Sequence, residues 1–220
     1  MNQEGYLEQG YHIDRYHALE DDLLRFLDFV TLDFYPSIEE RQKIKSLYLG
    51  DLLLRIGSNI DIFFRKIIIS NKDDQDFKEI LSKKSRIDWN TFKKLEPILE
   101  LSRANVEIIS TSERLYPFRL GGKPEAEPWD DESVTLTWWN SYNKIKHEGL
   151  FDKATLDNVI QALAALFILI LLDKLNYEIA EKLNRYGYIS GFNYWIDSGV
   201  EIKYAARSRL FKEGDKILYL

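Results

Sequence analysis

Residues 162–172 (Ala-Leu-Ala-Ala-Leu-Phe-Ile-Leu-Ile-Leu-Leu) form an unbroken apolar run, closed by Gln161 before it and Asp173 after it. As a helix, a run of that length reaches about 16 Å, whereas a membrane crossing needs about 20 residues. A helix apolar on every side and too short for a bilayer must be enclosed by other helices. The run therefore points to a bundle built around one central helix, with no membrane partner. Thr155 stands where it can cap that helix, and the helical pattern continues to about residue 184.

The 220-residue chain suffices for one such bundle with an appendage. Its composition, 45% hydrophobic and 30% charged, is that of a globular protein and excludes disordered, collagen-like and coiled-coil classes. A formal net charge of −6 supplies no global field for nucleic acid, so any such contact needs a local patch. Without cysteine there is no disulfide framework, no thiol nucleophile and no thiolate zinc site. The first residues, Met-Asn-Gln-Glu-Gly-Tyr, have neither the basic start nor the apolar stretch of a secretory signal, so a cytoplasmic location is expected.

Around the central run, residues 16–30 place Leu19, Leu23, Phe26, Leu27 and Val30 at helical spacing. After Pro36, Ser37-Ile-Glu-Glu40 reads as a capping box. The helix it starts is expected to run to about residue 69, with Ile44, Leu47, Leu52, Ile56, Ile60, Phe63 and Ile67 as its core face. Residues 71–85 read as a polar loop and 88–101 as a short helix capped by Asp88 or Asn90. Pro117, Gly121, Gly122, Pro124 and Pro128 mark an irregular insertion at about 105–132. The expected organisation is thus a helical bundle over 1–186 and a C-terminal appendage over 187–220. Within the appendage, 200–204 and 216–220 alternate like the strands of a hairpin.

The helix ending before Gly149 carries the chemistry. At about 100° per residue, Trp138, Tyr142 and Ile145 share a core face. Asn140, Asn143, Lys144 and His147 share the opposite one. Asn143 and His147 are one turn apart, so the amide can hold an imidazole nitrogen and fix the tautomer. The same residues have plainer uses: His147 can finish the helix, and Asn143 can bond the backbone. No phosphate-binding loop is present, because Gly121-Gly122-Lys123 lacks the glycine spacing and the following Ser or Thr. Lys203, Arg207, Arg209 and Lys212, interleaved with Tyr204 and Phe211, form a basic cluster that can face solvent or touch nucleic acid.

The sequence Trp138-Trp-Asn-Ser-Tyr-Asn-Lys-Ile-Lys-His147, followed by Phe151, Ala154-Thr155 and 162–167, resembles a group of bacterial proteins with a Trp-Trp-x-x-Tyr-Asn-x-x-Lys-His helix. That arrangement is similar to the HEPN superfamily of helical bundles, often found in RNA cleavage, toxin–antitoxin pairs and phage defence. The family motif is an Arg, a following polar residue, and a His after four to six intervening residues. His147 and Asn143 match the last two, whereas Tyr142 stands at the Arg position and no Arg occurs in 133–147.

The resemblance covers roughly 130–175 and implies a mainly α, HEPN-like bundle that forms a homodimer. It implies a non-catalytic interaction module, or one binding RNA or nucleotide, in a bacterial defence or stress system. The alternative it implies is a metal-independent endoribonuclease. In that alternative His147 is the acid/base and Asn143 orients it, while Lys144, Lys146 and Asn140 contact RNA or phosphate. No metal and no cofactor are expected. The 14% aromatic content is read as more than one modest core needs, which also points to a dimer.

Overall fold

The computed structural model describes residues 3–70, 75, 78, 87–108, 111, 113–131, 134–172 and 195–196. The chain is mainly α. Its helices are α1 (Gln3–Leu27), α2 (Ile38–Arg41), α3 (Leu47–Ser70), α4 (Trp89–Lys93), α5 (Glu96–Leu99), α6 (Thr137–Glu148) and α7 (Leu156–Leu171). Among the described residues three short strands, β1 (Ala104–Ile108), β2 (Glu113–Leu115) and β3 (Trp195–Ile196), pair antiparallel in the order β2-β1-β3.

The apolar run lies in α7, which packs against α3, α6 and α1. Residues 154–170 are buried without exception, including Leu163, Leu166, Phe167 and Ile170. Thr155 caps the helix by accepting from the Asn158 amide at 3.2 Å. No helix among the described residues is long and apolar enough to cross a membrane. The expected continuation of α7 toward 184, the strands at 200–204 and 216–220, and the basic cluster at 203–212 lie outside the described residues.

The Ser37 capping box forms as read: Ser37 Oγ accepts from the Glu40 amide and the Glu40 carboxylate accepts from the Ser37 amide, both at 3.2 Å. The helix it starts is not the long one expected. α2 ends at Arg41, and Lys45 pairs with Thr155 as an isolated antiparallel bridge. The Ile44 carbonyl there accepts from the Leu156 amide at 2.9 Å. That bond satisfies one of the free amides at the start of α7, which a continuous helix through 44 could not do. Ser46 then starts α3 afresh, its Oγ accepting from the Leu49 amide at 3.1 Å.

The insertion at 105–132 is also more regular than expected. It contains β2, in register with β1 through Val106↔Leu115, Glu107↔Arg114 and Ile108↔Glu113. Its loop is fixed by polar side chains that bond backbone carbonyls. Trp138 Nε1 donates to the Pro117 carbonyl at 2.7 Å. Lys93 Nζ donates to the Asp131 and Val134 carbonyls at 2.7 and 2.6 Å. Arg119 donates to the Ser102 and Ala126 carbonyls at 2.7 and 2.8 Å. Glu96 accepts from Trp129 Nε1 and from Ser102, and its burial raises the carboxyl above the usual range.

These bonds hold Phe118 and Trp129 in an aromatic core with Phe64, Trp89, Phe92, Trp138, Trp139 and Tyr142. Trp89 and Trp139 stack at 4.3 Å, Phe64 and Phe92 at 4.6 Å. Part of the aromatic content is thus packed inside one chain, while Phe29, Phe34 and Tyr48 are exposed.

Candidate functional site

α6 sorts its side chains as its sequence implies. Trp138, Tyr142 and Ile145 are buried; Trp139, which falls between the two faces, is buried too. Asn140, Lys146 and His147 are exposed, and Asn143 and Lys144 are half-buried. Gly149 ends the helix in the left-handed region at φ 69°, its amide bonding the Ile145 carbonyl at 3.0 Å. The polar face at the end of α6 therefore brings Asn140, Asn143, Lys144 and His147 to solvent together.

The bond expected within that face is absent. Among the described residues, neither Asn143 nor His147 makes a side-chain hydrogen bond or ion pair, so nothing fixes the imidazole tautomer. Lys146 turns inward along its helix, donating to Tyr142 Oη at 3.0 Å with its ammonium 5.1 Å from the ring centroid. Arg55, a cation that could have reached the face from α3, is held by Asp22 of α1 at 2.7 Å and Asp51 at 3.0 Å. Lys144 is the one cation of the motif helix that is neither exposed nor tied to another side chain.

Tyr142, at the position of the family arginine, is a core residue with 1% exposure. Its ring lies flat against α3 where Gly57 leaves room. A Cβ at Gly57 would meet three ring atoms, the farthest at 2.8 Å. One face of α6 is thus committed to packing at the place where the resemblance would put a phosphate-binding guanidinium. No group of three His, Asp or Glu side chains among the described residues could hold a metal ion.

A second polar centre escaped sequence reading. Arg41 is fully buried between the start of α7 and β2. Its Nε and Nη2 each lie 3.3 Å from Asp157 Oδ1, and Nη1 donates to the Pro36 carbonyl at 3.1 Å. Nη2 bonds Glu113 Oε1 at 2.7 Å, and Nη1 stands 2.7 Å from Oε2. Burial pushes the Asp157 carboxyl up to about 6, against the opposing pull of Arg41. Arg41 itself is raised: burial opposes its charge, but Glu113 and Asp157 outweigh it.

The arginine thus ties the connector before α2, the first turn of α7 and the hairpin together. The one sequence signal was Asp157, an acid just inside a helix buried all round, which needs a cation. Which cation is not legible, since Arg41 stands 116 positions away.

No family model matches the chain, and no curated protein or solved structure matches it either.

Proposed function

We propose that this chain is a HEPN-like helical module that binds a partner without cleaving it, through the Asn140, Asn143, Lys144 and His147 face of α6. The observation that carries this reading is Tyr142: the motif position that would need a guanidinium holds an aromatic ring packed on Gly57. A developing phosphate charge needs a fixed, bidentate cation. Lys144 offers only a point charge, and Arg55 is engaged by two aspartates. The exposed His147 with no bonded partner also supports a contact residue over a held acid/base. The reading includes a homodimer and an RNA or nucleotide ligand, in a bacterial defence or stress system.

The test is incubation of the purified chain with structured and single-stranded RNA, read by cleavage on gels and binding by fluorescence anisotropy. The expected result is no cleavage, with any binding weakened by Lys144→Glu. Cleavage that His147→Ala abolishes while the fold is retained establishes the endoribonuclease reading instead. For the dimer, sedimentation should give a mass near twice 26.0 kDa. A concentration-independent mass of one chain refutes that part.

A further inference from the structure

The buried face of α7 carries a polar side chain with nothing to bond. Gln161 is 3% exposed, and among the described residues neither Nε2 nor Oε1 has a hydrogen-bond partner. One turn earlier, Asn158 gives its Nδ2 to Ser141 Oγ and the Lys153 carbonyl at 2.9 and 3.0 Å, but its Oδ1 is also unmatched. A carboxamide sealed from solvent without partners is costly, and such groups in folded proteins are satisfied by protein or by enclosed water. A leucine, like those that follow in the same helix, would avoid that cost.

The surroundings are built to receive this amide. It lies flat on Gly122, where a Cβ would fall 2.7 Å from Gln161 Cδ and Oε1 and closer still to Nε2. Gly122 has φ +72°, in the left-handed region where side chains are strained, so two independent features exclude a larger residue there. The Gly122 amide and carbonyl are already committed, to Arg119 and Tyr116 at 3.0 and 3.1 Å, so this glycine's backbone does not serve the amide. The loop seats the amide but does not bond it.

We infer that the seam between α7 and the 116–122 loop holds at least one enclosed water molecule bound to the Gln161 carboxamide. The amide offers two donors and an acceptor. A neutral molecule that both donates and accepts matches that set; an ion of either sign would leave half of it unmatched. Water is the molecule of that chemistry small enough for a site closed on all sides. Arg41 cannot fill the role, because its guanidinium is shared among Pro36, Glu113 and Asp157.

The experiment is a water-selective ROESY on the isotope-labelled full chain near pH 6, with the side-chain amides assigned in the wild type. The Gln161 Nε2 protons should show cross-peaks to water of dipolar sign, opposite to those of proton exchange. The exposed Asn140 carboxamide is the reference: it meets only short-lived surface water, so its dipolar cross-peak in a parallel water-selective NOESY should be weak or opposite in sign to that at Gln161. As a second reading, Gln161→Met should melt several degrees lower, since it evicts the water without refilling its hydrogen bonds. Absence of dipolar cross-peaks at Gln161 overturns the inference, and so does a Gln161→Met variant that melts higher than wild type. Should that variant fail to fold, the wild-type spectrum decides alone.

Discussion

Replacing Arg41 by methionine tests the buried ion cluster, and its cost can be worked from the environment of Asp157. Burial pushes the Asp157 carboxyl up to about 6, from 3.8 for a free aspartate side chain. Between those values the folded state holds a proton the unfolded chain has released, so the stability this group contributes falls as pH rises through that window. At 1.36 kcal/mol per unit, burying the carboxylate costs about 3 kcal/mol at pH 7.5. Without Arg41 the carboxyl must stay protonated at pH 7.5, which costs about 5 kcal/mol on the same scale.

The difference, about 2 kcal/mol, is the part of the deficit that depends on pH. The Pro36 carbonyl left unbonded and the lost Glu113 pair add about 1–2 kcal/mol at any pH. Arg41→Met should therefore lose about 3–4 kcal/mol at pH 7.5 and about 1–2 kcal/mol at pH 5.0, where Asp157 is largely protonated in both proteins. Urea unfolding followed by tryptophan fluorescence at the two pH values measures both numbers. A deficit below about 1 kcal/mol at pH 7.5, or one that grows on acidification, refutes the reasoning. Asp157→Asn gives a second handle: it should flatten the wild-type decline in stability between pH 4 and 6 and leave Arg41 bonded to Glu113.

Three further outcomes follow from the packing. Gly57→Ala gains about 1 kcal/mol of helix propensity but must displace the Tyr142 ring. It should be net destabilising by about 1–2 kcal/mol, and a stabilised variant in denaturant titration contradicts the close approach. His147→Ala, at an exposed side chain without a bonded partner, should stay within about 0.5 kcal/mol of wild type; a melting point several degrees lower shows a structural histidine instead. Tyr142→Arg, which puts an arginine where the HEPN motif has one, should cost at least about 3 kcal/mol by burying a cation against Gly57, and calorimetry showing an unchanged melting temperature overturns that packing.

What could be read in advance was what short-range periodicity encodes. The run at 162–172 announced an enclosed helix, Thr155 and Ser37 announced their caps, and the spacing of Trp138, Tyr142 and Ile145 sorted both faces of α6. Each of these depends on residues within a few turns. The break after Arg41 was hidden because its cause lies in the Leu156 amide, far along the chain. The hairpin was masked by the Gly and Pro residues beside it, although Val106 and Ile108 alternate with polar neighbours and turn inward. For the site, periodicity showed which residues share the exposed face. It could not show that Asn143 leaves His147 unbonded, or that Asp22, on another helix, also holds Arg55.

Gly50 and Gly57 stand two helical turns apart on α3, about 10 Å along its axis. Each accommodates one aromatic ring: Phe151, in the turn after α6, at Gly50, and Tyr142 of α6 at Gly57. Two notches filled by two teeth fix where α6 lies along its neighbour, because a slide of one turn would drive both rings into side chains instead of gaps. Two rings seated in two glycine gaps thus set the register of α6 against α3, and with it where the His147 end of α6 stands relative to its neighbour.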